Sequence, residues 1–505
     1  MKKALLAVNT MTYFIGLVEI GRMLKKESGY KPVFYFPQPY PQYRQDLKIC
    51  EREGMEYVCG FEKADIQGAD ASRLNPRQNA VKKFLLMVYR NFFVGFAYEF
   101  LAYFREFKKI KRLIKNVKPA IIIISGDNTG HNTDILIKVG HKYGVPSAII
   151  PMFTTGPVEA AEAYFYNPAH DCRRFSNRIL AYFEPKWVYK HKGKKLLRWP
   201  AFKILAMKIF GLKPPLPWIV NSSHADKIMV ECEAVKEFMI KEGIPARQIL
   251  LTGSLANDIM ADHLRHFDIR RNELCEKLKL EDSAKVPSTV LSEKFDSHVQ
   301  ASTLRSNFSC RLVSGTFAES SLDKKKQILL CALPPNILYG YSRPECDFKK
   351  YDDLVIFWIK SLVAIKNYNV VISLHPAIKY EEIRYIEDFG VKIAKQKSID
   401  LIPLCDLFVS AMSGTIYWAT ACRKPVLNYD VYRYRYSDFE DYRGIVYTEE
   451  KKEFQNLLVK FANDEKFYAK ILEMQKVAAL KWGVLDSKGH LRLLKAIDDL
   501  TKKHE

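Results

Sequence analysis

The segment PAIIIISGD at residues 119–127 constrains the fold of this chain more than any other feature. Its four consecutive isoleucines are β-branched, and such a run suits a strand that is buried on both faces. Strands of that kind belong to parallel sheets, whose crossover helices cover both faces. Further apolar strands alternate with helical patterns around it, at residues 4–8, 32–36, 55–59 and 145–151. The first part of the chain is therefore predicted to be a doubly wound α/β domain.

The same alternation of strand and helix returns later in the chain. Residues 226–254 read as strand, helix and strand, and residues 326–466 contain a second series of predicted strands. The strands of that series lie at residues 327–333, 368–374, 391–395, 406–410, 425–429 and 444–447. The predicted fold class is therefore α/β, with two Rossmann-like, doubly wound parallel-sheet domains that face a cleft. Ligands of such sheets bind at the carboxyl ends of the strands.

A length of 505 residues fits two domains with additional segments. We assign residues 1–258 to an N-terminal domain and residues 326–466 to a C-terminal, nucleotide-binding domain. Residues 259–325 are rich in serine and lack clear periodicity, which indicates an insertion or linker. Residues 467–505 have a helical pattern and are expected to pack back on the N-terminal domain.

The composition excludes several classes of protein. Hydrophobic residues make up 48% of the chain and charged residues 27%, so a disordered chain is excluded. Asn9 and Thr10 interrupt the first apolar run, which therefore predicts a buried strand and not a signal peptide. No uncharged apolar window reaches the roughly 18 residues that a spanning helix needs. Ten cysteines without a CxxC pair favour the reduced thiols of a cytoplasmic protein.

Two strand ends in the first domain carry glycine and polar residues. Gly126 permits a sharp turn after the isoleucine strand, and Asp127 then lies at its carboxyl end. Asp127 is a candidate general base for catalysis, and the alternative is that it only caps the next helix. Gly253 and Ser254 end a later strand. These two residues are candidates for a loop that joins two lobes and helps to bind nucleotide phosphates. The alternative is an ordinary turn.

Two strand ends in the second domain carry similar signals. His375 follows a buried strand in VISLHP, where it can contact a phosphate or exchange a proton, or serve a structural role. A later strand ends at Ser410, and Ser413, Gly414 and Thr415 open the helix that follows. The backbone N–H groups at that helix start and the hydroxyls suit a diphosphate. The alternative is a serine N-cap without a ligand.

These motifs together resemble the GT-B superfamily of sugar-nucleotide glycosyltransferases, UDP-N-acetylglucosamine 2-epimerases and CDP-glycerol glycerophosphotransferases. Residues 225–258 resemble the segment by which the chain of these proteins leaves the N-terminal lobe. They read ADKIMVECEAVKEFMIKEGIPARQILLTGSLAND. VISLHP resembles its histidine motif, and SAMSGTIYWATACRKPVLNYD (410–430) resembles its nucleotide-phosphate loop with the following strand. DYRGIVY (441–447) is similar to the glycerophosphotransferase branch, and PAIIIISGDNTG (119–130) is similar to the epimerase segment that ends in Gly-Asp.

The resemblance implies a role for each matching residue. It places His375 on the donor phosphate, Asp127 as the candidate base, and the loop around Ser413 and Gly414 on the diphosphate. Two departures stand out. The family usually has a glutamate for the ribose after this loop, where this chain has Tyr417 and Trp418. The epimerases also carry paired acidic residues, which Glu159 and Glu162 match only weakly. This weak match makes the epimerase interpretation less favoured.

The net charge of +22 is concentrated in two aromatic-rich segments, residues 77–118 and 186–213, which carry a net charge of +9 each. Basic and aromatic residues together are typical of surfaces that bind anionic lipid. We therefore predict a membrane-facing surface on the N-terminal domain, with a solvated basic face as the alternative. No nucleic-acid-binding motif is present, which disfavours a nucleic-acid partner. The predicted docking residues are Lys186, Trp187, Lys194, Lys195, Arg198, Trp199, Phe202 and Lys203.

The sequence therefore predicts a GT-B-like glycosyltransferase of cell-envelope glycan synthesis. It would take a nucleotide-sugar as donor substrate, need no cofactor or metal ion, and act on a lipid-linked or polysaccharide acceptor. It would lie in the cytoplasm, peripherally associated with the inner face of the membrane. The alternatives are a UDP-N-acetylglucosamine 2-epimerase-like isomerase, a CDP-glycerol glycerophosphotransferase-like enzyme and a non-catalytic nucleotide-sugar-binding protein.

Overall fold

The computed structural model describes most of the chain and divides it into two compact units. The described residues are 1–8, 11–40, 42–61, 91–127, 133–152, 156–280, 326–338, 345–375, 378–435 and 444–503. Unit 1 comprises Met1–Asp258, Arg433–Arg443 and Val477–Glu505. Unit 2 comprises Ile259–Tyr432 and Gly444–Lys476. The chain therefore enters each unit more than once.

Unit 1 contains a parallel sheet that is built around the isoleucine strand. Its described strands are β1 (Lys2–Ala7), β2 (Tyr30–Phe36), β3 (Glu56–Cys59), β4 (Ile121–Ile124), β5 (Ser147–Ile149), β8 (Lys227–Val230) and β9 (Ile249–Leu251), with the antiparallel hairpin β6 (Val188–His191) and β7 (Lys194–Leu197) outside the sheet. The sheet order is β3-β2-β1-β4-β5-β8-β9, and every pair is parallel. The four isoleucines of β4 are fully buried between β1 and β5, as their sequence predicts.

Helices cover both faces of this sheet. The described helices of unit 1 before residue 259 are α1 (Met11–Glu27), α2 (Tyr43–Arg52), α3 (Phe92–Val117), α4 (Thr133–Lys142), α5 (Pro157–Tyr164), α6 (Phe175–Phe183), α7 (Ala201–Ile209) and α8 (Glu233–Lys241). The last helix of the chain, Gly489–Lys502, also packs here, because Leu493 and Ile497 lie fully buried in the same core as Phe34 of β2.

Unit 2 contains the second parallel sheet. Its strands are β10 (Gln327–Ala332), β11 (Tyr368–Ser373), β12 (Lys392–Ala394), β13 (Leu407–Ser410), β14 (Val426–Tyr429) and β15 (Ile445–Thr448), in the order β12-β11-β10-β13-β14-β15. The helices that follow α8 are α9 (Leu255–Arg265), α10 (Phe267–Leu278), α11 (Tyr351–Val363), α12 (Tyr380–Ile383), α13 (Ser398–Leu401), α14 (Thr415–Ala421), α15 (Lys451–Asn463), α16 (Glu465–Trp482) and α17 (Gly489–Lys502). Two doubly wound parallel sheets confirm the predicted α/β class with two Rossmann-like domains.

The segment at residues 186–213 differs from its sequence prediction. It was predicted as a membrane-facing surface, but Trp187, Arg198 and Phe202 are buried and cannot contact a membrane in this fold. The hairpin β6–β7 and helix α7 explain the difference, because they bring these side chains into the interior of unit 1. Trp218 shows the packing, since its Nε1 donates to the Trp187 carbonyl oxygen at 2.8 Å.

Of the remaining predicted docking residues, some are exposed and others are half-buried against aromatic rings of unit 1. Lys186 and Lys195 are exposed, whereas Lys194, Trp199 and Lys203 are half-buried. The ammonium of Lys203 lies 3.7 Å from the centre of the Trp199 ring, and that of Lys194 lies 4.1 Å from the Phe165 ring. These two lysines therefore cover aromatic rings of their own unit.

Part of the predicted serine-rich insertion is helical. Helix α10 and most of α9 lie within residues 259–325, so the described part of this segment is not irregular as predicted. Residues 281–325, like residues 77–90 of the first basic segment and 441–443 of the glycerophosphotransferase-like stretch, lie outside the described residues. Among the described residues, no helix is long and apolar enough to cross a membrane, and nine cysteines are free thiols.

Candidate functional site

The topology of each sheet indicates where a ligand would bind. In unit 2 the chain builds β10, β11 and β12 in one direction and then crosses back to place β13 on the other side of β10. In unit 1 it builds β1, β2 and β3 and then crosses back to place β4 beside β1. A doubly wound sheet opens a crevice at such a reversal, at the carboxyl ends of the two strands concerned.

Small and polar residues line the carboxyl edge of the unit 2 sheet. Ala332 of β10 pairs in register with Ser373 of β11 on one side and with Ser410 of β13 on the other. Ser410 in turn pairs with Asn428 of β14. The Ser410 side chain is fully buried, and its hydroxyl has no hydrogen-bond partner among the described residues. A buried hydroxyl without a partner costs about 1–3 kcal/mol, which makes Ser410 a candidate for contact with a ligand.

The loop after β13 exposes the start of helix α14. Met412 has a positive φ of 45°, and its N–H donates to Asn428 Oδ1 at 2.9 Å, which holds the turn against β14. The hydroxyls of Ser413 and Thr415 lie 2.7 Å apart. Gly414 is exposed, and a Cβ at this position would meet no atom within 4 Å. The predicted phosphate loop is therefore open to solvent at the reversal point of the sheet.

His375 lies on the same edge of the sheet, beyond the end of β11. Only β10 separates β11 from β13, so His375 and the loop after Ser410 belong to one edge. The imidazole is exposed, although nearby protein atoms desolvate it enough to lower its pKa below the ordinary value. A lowered pKa keeps the ring neutral at neutral pH, and a neutral ring has one N–H to donate.

Asp127 lies at the reversal point of the unit 1 sheet, beside the end of β4. Its side chain is buried, and it accepts a hydrogen bond from the Thr133 hydroxyl. Its backbone N–H donates to Asn221 Oδ1 at 2.8 Å, and its carbonyl oxygen accepts from the Asn221 N–H at 2.7 Å. Burial raises the pKa of Asp127, while hydrogen bonds from Thr133 and Ser223 act in the opposite direction. The backbone of Asp127 thus links the end of β4 to the segment around Asn221, and its carboxyl has a raised pKa.

Asp134 is a second buried carboxyl at this point, and the sequence analysis did not single it out. It lies in the first turn of α4, and within the part of the chain that the structure describes neither of its carboxyl oxygens has a hydrogen-bond partner. Burial and the charge of Asp127 raise the pKa of Asp134 well above its ordinary value. Two carboxyls with raised pKa values at one strand end are typical of sites that exchange protons. Asp134 closes the motif SGDNTGHNTD, so its spacing from Asp127 was a usable signal.

Gly253 and Ser254 have a structural role in unit 1. Gly253 has a φ of 74°, and a Cβ there would lie 2.9 Å from the guanidinium of Arg492 in α17. Arg492 Nε donates to the Thr252 carbonyl oxygen at 2.6 Å. The backbone around Ser254 also approaches Gly489, where a Cβ would lie 2.8 Å from the Ser254 carbonyl oxygen. This loop therefore holds α17, and its role in phosphate binding stays a prediction.

Asp258 provides a direct test of how α17 is held. Its carboxylate accepts the backbone N–H groups of Gly489 and His490 at 2.9 and 2.8 Å, so it caps a helix that lies over 200 residues away in sequence. We expect Asp258→Ala to lower the free energy of unfolding by about 1–2 kcal/mol, as the loss of a cap does. Urea denaturation measures it. Asp499→Ala removes only an exposed pair of α17 with Lys495 and should change less than about 0.5 kcal/mol.

Glu162 does not act as one member of an acidic pair in this structure. Its buried carboxylate lies 2.8 Å from Nε2 of His191 and 2.8 Å from Nζ of Lys192, both at the turn of the β6–β7 hairpin. The Lys192 ammonium thus compensates the buried charge, and the His191 ring N–H adds a hydrogen bond, which gives Glu162 a structural explanation. The weak match to the epimerase acidic pair therefore gains no support from this residue.

Comparisons with known proteins give similarity to solved structures only. No protein-family model matches the sequence, and no curated protein is significantly similar to it. The UDP-GlcNAc 2-epimerase of Neisseria meningitidis bound to UDP-GlcNAc is 12% identical, with 98% of this chain and 100% of that chain covered and a TM-score of 0.46. A variant of the wall teichoic acid polymerase TagF is 10% identical, with coverages of 99% and 89% and a TM-score of 0.48. The calicheamicin glycosyltransferase is 9% identical, with coverages of 100% and 99% and a TM-score of 0.49. At these identities the function has to be argued from the side chains of this chain.

Proposed function

We propose that the chain is a glycosyltransferase that moves a sugar from a nucleotide-activated donor to a membrane-associated or polysaccharide acceptor in cell-envelope glycan synthesis. The observation that carries the proposal is the buried hydroxyl of Ser410 at the reversal point of the unit 2 sheet, for which no described residue is a hydrogen-bond partner. The open loop at residues 413–415 directly follows it. A diphosphate oxygen is the kind of acceptor that would satisfy both.

The leaving diphosphate is the group that this edge would stabilise. Its charge develops as the bond to the sugar breaks, and fixed N–H and O–H donors lower the energy of that charge. The helix start at Gly414, the hydroxyls of Ser413 and Thr415, and a neutral His375 would supply those donors. With these donors we propose a metal-independent reaction, so EDTA should leave the transfer rate unchanged.

Asp127 is the proposed general base for the acceptor hydroxyl. A carboxylate with a raised pKa accepts a proton more readily than an ordinary one at neutral pH. Asp134 would adjust that pKa, because its own carboxyl is buried and interacts with the charge of Asp127. Asp134 is a positioning and tuning residue in this proposal and does not itself touch the substrate.

A panel of nucleotide ligands tests the donor site. UDP-, CDP-, GDP- and CMP-sugars are added to the purified protein, and the melting temperature is measured. A ligand at 100 times its Kd stabilises the folded state by about 2.7 kcal/mol, which should raise the Tm by several degrees. One nucleotide class should produce the shift. No shift with any member would contradict the proposal and favour a role without a nucleotide-sugar.

Gly414 offers a matched pair of variants for the same experiment. Gly414 and Gly29 both have an ordinary φ and open space where a Cβ would project, so valine should fold at either position. We expect Gly414→Val to abolish the nucleotide-induced shift, because the new side chain occupies the phosphate loop. Gly29→Val in unit 1 should keep the shift. Equal nucleotide-induced Tm shifts in both variants would show that the loop at residues 413–415 is not part of the donor site.

A sugar-nucleotide 2-epimerase is the second candidate function. The observation that favours it is the pair of buried carboxyls, Asp127 and Asp134, because an epimerase has to remove and return a proton on the sugar. Turnover of UDP-N-acetylglucosamine alone, without any acceptor, would support the epimerase. Turnover that requires an acceptor would support the transferase.

A further inference from the structure

Helix α3 presents apolar side chains to solvent over its first half. Phe93, Tyr98, Leu101 and Phe104 recur at helical spacing and are 79%, 62%, 51% and 45% exposed. The opposite face already anchors the helix, because Phe100, Tyr103 and Phe107 surround the Phe210 ring with ring centres 5.0, 5.8 and 5.5 Å away. The exposed apolar residues are therefore additional to what the fold of α3 needs.

The second half of the same face is basic. The exposed residues that continue the apolar ones along α3 are Arg105, Lys108, Lys111, Arg112 and Lys115. Lys108 lies 4.3 Å from the centre of the Phe104 ring, where the two halves meet. The acidic residues of the helix are not exposed on this face, since Glu99 is buried and Glu106 pairs with Lys109 at 3.2 Å. The exposed face of α3 thus combines apolar and cationic groups without an anion.

Helix α6 repeats this combination. Phe175, Ile179, Tyr182 and Phe183 are exposed, and the exposed Arg178 lies beside the Phe175 ring. Helix α6 itself has no acidic residue, and Glu184, which follows it, is buried and pairs with Lys208 and Lys213. Both α3 and α6 pack against α7, so the two exposed faces belong to one helical layer of unit 1.

We propose that these exposed faces of α3 and α6, together called the docking face, bind the surface of an anionic lipid membrane. Aromatic and aliphatic side chains would enter the headgroup boundary, and the arginines and lysines would pair with anionic headgroups. The lack of an exposed acid in either helix favours lipid phosphate over an average protein surface. Helix α3 lies within the predicted segment 77–118, whereas α6 takes the place of the segment at residues 186–213, where the predicted docking residues Trp187, Arg198 and Phe202 are buried.

Membrane binding by the docking face rests on the proposed function in one respect only. The proposed function explains why unit 1 would need to reach a membrane-associated acceptor. The binding itself follows from exposure and charge. The docking face and the unit 2 nucleotide edge therefore need separate measurements, and either can fail without the other.

Vesicle flotation tests the docking face. The full-length protein is mixed with vesicles of phosphatidylcholine and 30–40% phosphatidylglycerol at low salt, and the floated fraction gives the affinity (about one-third anionic lipid gives a strongly negative surface). Leu101→Glu and Tyr182→Glu should each lower the affinity at least tenfold. Leu491→Glu in α17 is the matched control, because Leu491 is 54% exposed, close to the 51% of Leu101. The control should bind like wild type.

A second pair of changes tests the charge. Each basic residue near an anionic surface contributes about 1 kcal/mol, so Arg105→Gln with Lys108→Gln should lower the affinity roughly 25-fold. The same loss should appear in wild type as salt is raised, because salt screens the headgroup charge. Vesicles of phosphatidylcholine alone should bind much less protein.

Three outcomes would overturn the docking face. The first is wild type that does not float with anionic vesicles at low salt. The second is an equal loss in Leu101→Glu and Leu491→Glu. The third is a wild-type dimer in solution that Leu101→Glu converts to a monomer without any effect on flotation, because the face would then join two copies of the chain. The nucleotide-induced Tm shift, measured on the same variants, reports separately on the proposed function and should be retained.

Discussion

His375→Ala is expected to lower the rate of sugar transfer at least 100-fold while leaving the free energy of unfolding within about 0.5 kcal/mol of wild type. The reason is the position of His375 on the same sheet edge as Ser410 and the loop at residues 413–415. A neutral imidazole there donates one N–H to the phosphate oxygens, and this donor matters most as their charge develops. Single-turnover transfer with the donor identified by the nucleotide panel measures the effect.

Two further histidine variants make this result specific. His375→Gln retains an N–H donor and should recover part of the rate, whereas alanine cannot. His266→Ala removes another exposed histidine of unit 2, which lies between α9 and α10 and contacts Asp262 of α9, and this variant should transfer sugar like wild type. Full activity in His375→Ala would take His375 out of the mechanism. An equal loss in His266→Ala would mean that the measurement reports general damage to unit 2.

Arg271→Ala is expected to lower the stability of unit 2 by about 3–5 kcal/mol. Arg271 of α10 is 5% exposed, and its guanidinium donates to Asp406 Oδ1 at 3.0 Å and Oδ2 at 2.6 Å, and to the Leu404 carbonyl oxygen at 2.9 Å. Asp406 also accepts the Ile328 N–H of β10 at 2.7 Å. Alanine would leave the Asp406 carboxylate largely buried beside the central strands without its cation, and urea denaturation would report the loss.

The neighbouring arginine is the control. The Arg270 side chain is 42% exposed and pairs only loosely with Asp262 and Glu273, at 3.5 and 3.4 Å, so Arg270→Ala should cost less than about 1 kcal/mol. The double variant Arg271→Ala with Asp406→Ala should be more stable than the sum of the two single losses predicts, because no lone charge remains buried. If Arg271→Ala and Arg270→Ala were equally mild, the buried pair would not stabilise unit 2 as argued.

The position of most described strands could be predicted from the sequence. Strands such as β4 and β13 are buried on both faces, and such strands need unbroken apolar runs, which are visible without a structure. The order of these runs also indicated which residues follow a strand's carboxyl end, and Asp127, His375 and Ser410 were found in this way. Asp134 was missed because a carboxyl in the first turn of a helix usually faces solvent.

The surface of unit 1 could not be predicted in the same way. Trp187, Arg198 and Phe202 have the composition of an interfacial segment, but the β6–β7 hairpin and α7 bury them. The capping of α17 by Asp258 was invisible as well, because the two partners are distant in sequence and neither carries a pattern that points to the other.

The apolar runs of the chain were sufficient on their own to determine two parallel sheets and the strand ends that carry polar residues. Only the tertiary structure decided which apolar side chains are exposed. Helix α3 is aromatic on both faces, with Phe100 and Phe107 on one and Phe93 and Phe104 on the other. Helical periodicity cannot predict which of two such faces is buried, because the hydrophobic effect is non-directional and favours the burial of either face. The packing of Phe210 against one of them settles the choice, and the other is left to solvent.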